Sequence, residues 1–325
     1  MKYDFIVVGG AVEDITFYTE EGVLIDNPQD ITRQKLIGFE YGAKIKIEDV
    51  MRFPGGGANN AAVCLSRLGF ETALLAAVGE DEAGKKMIKN LVDNKIDARL
   101  VKVLKDKETG FTFVVKTKDN EHVAFVYRGA NSFLEFSEVE EQMLRYTKWI
   151  YVASLSGNWE KVLDKVFAVK DALVAWNPGN AQLSAGAGRL RKYIKKTAVF
   201  MVNKDEAIEL VISDGKYKNK DSQFLNETKN LLIALKDFGP DAVVITDGEN
   251  GADFYDGEIF YHEDSLHVPV DKIADTTGVG DAFCSTFIAG LEMYGADHKK
   301  AMKLAMKNSA ANLKEPGAQN GLLSR

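Results

Sequence analysis

Cysteine is scarce. Cys64 and Cys284 are the 2 in 325 residues, and they lie far apart in sequence, which argues against a disulfide framework. The four histidines, His122, His262, His267 and His298, do not fall at metal-ligand spacing, so no zinc site is expected. No stretch approaches the roughly 18 apolar residues of a membrane helix. The apolar run Phe5 to Val8 is too short for a signal peptide and stops at Gly9-Gly10. An excess of basic charge is also lacking: 41 Lys and Arg against 48 Asp and Glu give a formal charge of -7. That balance argues against a nucleic-acid or membrane-surface binder. The expectation is a cytoplasmic chain whose partner is a small molecule, with no nucleic acid and no membrane. What is present is ordinary globular material, 46% hydrophobic and 27% charged, enough to bury a large core.

Phe5 to Val8, Ala73 to Val78, Trp149 to Ala153, Leu173 to Trp176, Ala198 to Val202 and Ala242 to Thr246 are continuous apolar runs. That is the pattern of strands buried on both faces. Helical patterns lie between them, over Asn60 to Leu68, Glu82 to Val92, Lys161 to Val169, Asp205 to Ile212, Phe224 to Leu235 and Phe283 to Leu291. The alternation predicts an α/β fold, a mostly parallel central sheet flanked by helices on both faces. Two stretches break the rhythm. Asp14 to Phe53 contains alternating segments such as Ala43-Lys44-Ile45-Lys46-Ile47, and Thr112 to Val115 and His122 to Tyr127 flank a turn-like Lys118-Asp119-Asn120. The second pair reads as a β-hairpin. Strands with one polar face suit a small separate sheet better than a buried parallel one. One α/β domain over residues 1–325 is expected, with a small β-sheet lid formed by about 14–53 and 109–128.

Four motifs carry chemistry. Asp275-Thr276-Thr277-Gly278-Val279-Gly280-Asp281 precedes an apolar helical stretch. Glycines at a helix start turn several N–H groups toward one spot, and the helix dipole adds positive potential, which suits a phosphate. Asp281 would repel that phosphate unless it takes the proton from a hydroxyl attacking it; the same turn also reads as an Asp capping a helix. Gly55-Gly56-Gly57-Ala58-Asn59-Asn60 suits close approach to a polyhydroxylated ligand, or serves only as a tight connection. It is neither a Walker loop nor a dinucleotide fingerprint. Asp14 lies just past the first strand, where a carboxylate can grip two hydroxyls or simply be a solvated loop acid. Asn203-Lys204-Asp205-Glu206 follows another strand; Asn203 and Glu206 can orient Mg²⁺ through water, close a capping box, or do both.

With Val78-Gly79-Glu80-Asp81-Glu82-Ala83-Gly84, Thr109-Gly110, Tyr127-Arg128-Gly129-Ala130-Asn131 and Thr246-Asp247-Gly248-Glu249-Asn250-Gly251 in order, nearly the whole chain resembles the ribokinase-like (PfkB) family of carbohydrate and nucleoside kinases. The resemblance implies a ribokinase-like fold and an ATP-dependent phosphotransferase with an alcohol acceptor. It makes Asp281 the general base and the backbone of Gly278, Val279 and Gly280 the anion hole. It puts Asp14, Gly55, Gly56 and Asn60 on the acceptor, with Arg128 and Asn131 as further acceptor contacts. Asn177, Asn203, Thr246 and Gly248 would lie by the ATP phosphates, and Asn308 and Gly317 by the adenine. Glu206 would hold Mg²⁺ through water, and Asp275 and Thr277 are candidate ligands for a monovalent cation such as K⁺.

The family's usual Ala in Gly-Ala-Gly-Asp is Val279 here, and Val12 stands where ribokinases have an Asn two residues before the acid, which puts ribose itself in doubt. The stretch from Glu20 to Glu40 is longer than a minimal lid connection. A sugar kinase is the leading expectation. A nucleoside kinase of the same fold and a non-catalytic sugar- or nucleotide-binding regulator are the alternatives. A homodimer through the lid fits the edges that an exposed β lid must cover.

Overall fold

The computed structural model describes residues 3–27, 35–116 and 122–325. The expected apolar runs form the centre of the molecule. Thr72–Leu75, Tyr3–Val8, Thr147–Val152, Leu173–Trp176, Val199–Asn203 and Ala242–Thr246 lie side by side in that order, all parallel. Ala252–Tyr255 and Phe260–Glu263 extend the sheet antiparallel at one edge.

Alternate residues of these strands feed two separate cores. Ile6, Val8, Ile150, Val152, Trp176, Phe200 and Val202 pack under the helices Trp159–Val166, Ala187–Ile194, Lys204–Ile212 and Thr228–Lys236. Phe5, Val7, Trp149, Tyr151, Ala175, Val199 and Met201 pack under Gly57–Arg67, Glu82–Asp93, Val279–Met293 and His298–Asn312. Both faces of each strand are therefore apolar, which is why they read as unbroken runs. Each fully buried large side chain contributes roughly 1.5–3 kcal/mol.

Two runs that read as single elements in the sequence divide in the fold. Ala73 to Val78 becomes Thr72–Leu75 in the main sheet and Ala77–Gly79, which pairs with Lys102–Leu104 in a sheet of its own. Both halves are fully buried, so no polar residue marks the break. Phe224 to Leu235 becomes two helices, Ser222–Asn226 and Thr228–Lys236, parted at Glu227, which is extended.

Four strands lie apart from the main sheet. Val12–Tyr18 pairs antiparallel with Asp49–Gly55 and parallel with Gly110–Lys116, which pairs antiparallel with His122–Tyr127. We call this four-stranded sheet the lid. The alternating Ala43 to Ile47 is not one of its strands: the segment is irregular, held by Thr19 Oγ1 donating to Lys46 O and Lys46 N donating to Glu21. Within the expected insertion, Val23–Asp26 and Lys35–Gly38 form a two-stranded ribbon. The expected turn Lys118-Asp119-Asn120 and residues 28–34 of the insertion lie outside the described residues.

The chain steps from Tyr3–Val8 to its neighbour on one side, Thr72–Leu75, and later returns to its neighbour on the other, Thr147–Val152. A crevice opens beyond the carboxyl ends of the strands at such a switch point, and ligands of open α/β sheets bind there. Gly9 N donates to Leu75 O and Gly10 N to Ser154 O, each at 3.2 Å, which pins the backbone at the crevice floor.

Candidate active site

Asp281 enters the crevice from the first turn of the Val279–Met293 helix. Gly278 precedes that helix in the left-handed region, φ +77°, and a Cβ on it would fall 2.3 Å from Ala318 Cβ. No other residue fits there without displacing the C-terminal loop. Ala282 N closes the first turn on Gly278 O at 2.8 Å, and Val279 N turns back toward Thr276 O at 3.5 Å. By their position, the Gly280 and Asp281 amides have no acceptor within the helix. Unpaired amides therefore lie where the anion hole is expected, at Gly278, Val279 and Gly280. Asn60 Nδ2 donates to Asp281 Oδ2 at 2.8 Å. Burial pushes the Asp281 carboxyl above its ordinary value, and the Asn60 bond opposes that shift.

Asp14 faces the same space from the lid strand Val12–Tyr18 and is 8% exposed. Burial pushes its pKa up to about 7; a hydrogen bond with Thr112 opposes this, and the nearby Asp281 and Asp275 reinforce it. The glycine run makes room for both acids. A Cβ on Gly55 would fall 1.9 Å from Asp14 Oδ2, and one on Gly57 would fall 3.2 Å from Asp281 Oδ1. Gly55 therefore acts as space for Asp14, and Gly57, part of the expected glycine run but not of the expected acceptor set, makes room for Asp281.

A cavity of about 350 Å³ lies between these groups. Of the residues expected at the acceptor, Asp14, Gly56, Asn60, Arg128 and Asn131 line it, together with Thr277, Gly278 and Asp281. The Asn131 carboxamide is largely committed. Its Oδ1 accepts from Ala11 N at 3.0 Å, and its Nδ2 donates to Ala11 O and Arg128 O. It clamps backbone at the cavity wall. Ser154 and Ser156 also line the cavity and were not anticipated.

Asp275 does not present a free carboxylate to a monovalent cation, contrary to expectation. Its Oδ1 accepts from Lys116 Nζ at 2.6 Å and from Thr277 N at 2.9 Å, and its Oδ2 accepts from Gly317 N at 3.0 Å. Burial alone would raise its pKa; the Lys116 ammonium and the two amides outweigh that and hold it below the ordinary value. One buried carboxylate thus ties the lid, the anion-hole loop and the C-terminal loop together.

The C-terminal loop supplies another residue that the motifs did not announce. Gln319 Nε2 donates to Asn60 Oδ1 at 3.0 Å, and Gln319 Oε1 accepts from Asn90 Nδ2 at 3.1 Å. This sequence of bonds fixes which way the Asn60 amide points, and so which of its atoms meets Asp281. Asn308, expected beside adenine, is wholly buried. It donates to Thr286 Oγ1 at 2.6 Å and accepts from Leu323 N at 2.8 Å, so it anchors the tail and offers no face to a base. Gly317 is also buried, packed against the Phe53 ring, where a Cβ would fall 2.8 Å from the ring carbons.

The residues expected at the phosphates line the carboxyl ends of the next strands. Asn177 Nδ2 donates to Met201 O at 2.9 Å. Asn203 and Glu206 close a capping box, with Glu206 N donating to Asn203 Oδ1 at 2.8 Å and Asn203 N to Glu206 Oε2 at 2.9 Å. Thr246 ends its strand, and Gly248 is exposed two residues on, past the Lys204–Asp247 pair at 2.8 Å. Burial pushes the Glu206 carboxyl up to about 7; the Asn203 amide opposes this, and Asp281, Glu209 and Asp205 add to it. No group of three or more His, Cys, Asp or Glu among the described residues could hold a metal ion by itself. Glu206 keeps one carboxylate oxygen outside the capping box and has no cationic partner among the described residues. That single hard donor fits an ion such as Mg²⁺, which keeps most of its waters and binds through one or two carboxylates plus phosphate.

A family model described as pfkB family carbohydrate kinase matches residues 29–325. The chain belongs to this family. As a pfkB carbohydrate kinase it is an ATP-dependent phosphotransferase. An ATP-dependent 6-phosphofructokinase of Thermoanaerobacterium thermosaccharolyticum is 28% identical over 87% of this chain and 86% of its own length. A nucleoside kinase of Methanothermobacter thermautotrophicus is 21% identical over 87% of this chain and 85% of its own. The structure of Arabidopsis thaliana ribokinase complexed with ribose and ATP superposes with a TM-score of 0.80 at 18% identity, covering 100% of this chain and 96% of that one. The ribokinase-like fold expected of a pfkB kinase is therefore present along the whole chain. No helix among the described residues is long and apolar enough to cross a membrane.

Proposed function

We propose that this pfkB kinase transfers the γ-phosphate of ATP to a hydroxyl of a sugar, with Asp281 as the general base. The observation that carries this reading is the pairing of Asp281 with open first-turn amides on one side and a second carboxylate, Asp14, across the cavity on the other. Asp14 accepts hydrogen bonds from acceptor hydroxyls and holds one of them beside Asp281. Asp281 takes the proton as that oxygen attacks the γ-phosphorus, and the Gly280 and Asp281 amides, aided by the helix dipole, stabilise the charge on the transferring group. Phosphoryl transfer asks chiefly for positioning and charge stabilisation, which this arrangement supplies. When bound, Mg²⁺ neutralises phosphate charge, and Glu206 is the residue that would hold it through water. The lid strands cover the cavity and keep out water that would compete as acceptor.

A nucleoside acceptor is the second reading, favoured by the similarity to a nucleoside kinase. ADP release from ATP and Mg²⁺, screened over free sugars, sugar phosphates, sugar acids and nucleosides, decides between the two. Turnover of a nucleoside but of no sugar would overturn the first. Asp281→Asn should cut kcat on the true acceptor by about 10²- to 10⁴-fold, the usual share of a general base. An unchanged kcat would remove Asp281 from that role.

A further inference from the structure

We propose that Arg67 keeps Asp281 in its ionised, proton-accepting form, acting as a positioning residue through a row of four side-chain amides that can point in only one direction. The consequence for turnover rests on the kinase reading above; the consequence for the Asp281 proton does not. Arg67 ends the helix Gly57–Arg67, and Asn60 lies two turns earlier on the same face, about 10 Å along the axis. Side chains of the neighbouring helix and of the C-terminal loop connect the two. Arg67 Nε donates to Asn94 Oδ1 at 3.1 Å, and Asn94 Nδ2 to Asn90 Oδ1 at 3.3 Å. Asn90 Nδ2 donates to Gln319 Oε1 at 3.1 Å, Gln319 Nε2 to Asn60 Oδ1 at 3.0 Å, and Asn60 Nδ2 to Asp281 Oδ2 at 2.8 Å. At every link a nitrogen donates toward Asp281.

A carboxamide accepts at its oxygen and donates at its nitrogen, so a row of them can point either way. Pointing at Asp281, the row offers a donor, which suits a carboxylate. Turned over, it offers the Asn60 oxygen, which only a protonated Asp281 can satisfy. Arg67 removes the second arrangement. A guanidinium has donors, no acceptor, and a permanent charge, so the Asn94 atom that faces it must be oxygen, and each later amide is set in turn. Bonds aligned in this way polarise one another. Arg67 Nη1 also holds Gln319 O at 2.5 Å, and Ser66 Oγ holds Asn94 O at 2.6 Å, which fixes the backbone that carries the row. Arg67 has no carboxylate to serve instead. Arg52, Arg99, Arg189 and Arg191 each hold one, but among the described residues none lies within ion-pair distance of Arg67. At the other end, Asp14 from the lid and Glu206 from the helix Lys204–Ile212 are acids whose charge acts against that of Asp281. Tyr151 from the main sheet and Cys284 from the same helix as Asp281 are buried, which pushes both well up and leaves them neutral. Burial favours the proton on Asp281, and Asn60 Nδ2 is the side-chain donor that opposes it.

Carbon-13 NMR of the aspartate carboxyl groups follows Asp281 in the full chain without turnover, its signal being the one lost in Asp281→Asn. Arg67→Gln is the deciding variant, because glutamine still makes hydrogen bonds but can accept as well as donate. It should raise the Asp281 pKa by about 0.7 unit, the worth of one ordinary hydrogen bond. Arg67→Lys, a donor only, should restore most of the original value. Asn90→Leu cuts the row in the middle and should give the same rise, and adding Arg67→Gln to it should add almost nothing. In Arg67→Gln the acid limb of kcat should move up with the carboxyl, so that turnover falls about fivefold on the acid side and recovers at high pH. An Asp281 pKa that stays within about 0.2 unit in Arg67→Gln would overturn the proposal; a loss of kcat equal at every pH would then mark Arg67 as merely structural. A pKa that rises while the acid limb of kcat stays in place would uphold the proposal and take the base role from Asp281.

Discussion

A carboxyl group at position 14 titrates near pH 7 because burial in the lid face denies it water, and Thr112 recovers only part of the loss. Below pH 7 it is mostly protonated and offers one acceptor fewer to an incoming hydroxyl; above pH 7 it is a full carboxylate. The acceptor KM should therefore fall about tenfold between pH 6 and pH 8, as a single group with that pKa requires. Asp14→Asn should raise KM and flatten this dependence. A KM that rises with pH would contradict the role given to Asp14. Lys116 makes a second prediction at this scale. Its ammonium already compensates the buried Asp275 carboxylate, so turnover in potassium and in tetramethylammonium at equal ionic strength should agree within about twofold. Lys116→Met would leave that carboxylate uncompensated, a loss of about 3–5 kcal/mol for a buried pair broken on one side. Potassium should restore part of the turnover in that variant. Strong potassium activation of the unaltered chain would show that Lys116 does not do the cation's work.

The elements meet at the site through the C-terminal loop. Gly317 holds Asp275, Ala318 packs against Gly278, and Gln319 orients Asn60. Gln319→Leu removes the donor to Asn60 Oδ1, frees the Asn60 amide to turn over, and loosens its bond to Asp281. We expect kcat to drop about tenfold, the range of one lost hydrogen bond at a reacting group, with KM for ATP unchanged. In an Asn60→Ala background the same substitution should add almost nothing, because the two residues act in series. Fully additive losses would mean that Gln319 works by some other route. These contacts also mark where sequence reading ends. Asp275 to Asp281 and Asn203 to Glu206 were legible because each is a short run with its own helix start. Lys116 and Asp275 are 159 residues apart, and Gln319 and Asn60 are 259 apart. No local pattern records such pairs. The misplacement of Asn308 has the same root: an Asn in a helix looks alike whether it faces a base or, as here, ties down Leu323.

At the scale of the whole molecule, the parallel sheet was legible because its strands are apolar on both faces, and the two cores confirm why. The seam at Ala76 was not, since full burial removes the polar markers that would reveal it; the one at Glu227 lies in the exposed polar stretch Asn226 to Asn230, which a helical period also accommodates. The burial of Asp14 has a thermodynamic consequence for the entire fold. An unfolded Asp loses its proton near 3.9, whereas folded Asp14 holds it to about 7. Between those values the folded chain binds the extra proton, so stability falls as pH rises, by about 1.4 kcal/mol per unit or about 4 kcal/mol in all. Glu206, also raised to about 7, acts with the same sign. Asp97 and Asp275, held below their ordinary values, gain stability with rising pH, but only at pH values near and below 4, where the unfolded groups still titrate. The ligand-free melting temperature should therefore decline from pH 4 to pH 8, and Asp14→Asn should remove a large part of that decline while leaving the value near pH 4 close to unchanged. If the variant and the unaltered chain declined in parallel, Asp14 would have to be ionised throughout that range. The cavity would then be wetter than its burial implies, and the tenfold change in acceptor KM would have to vanish with it.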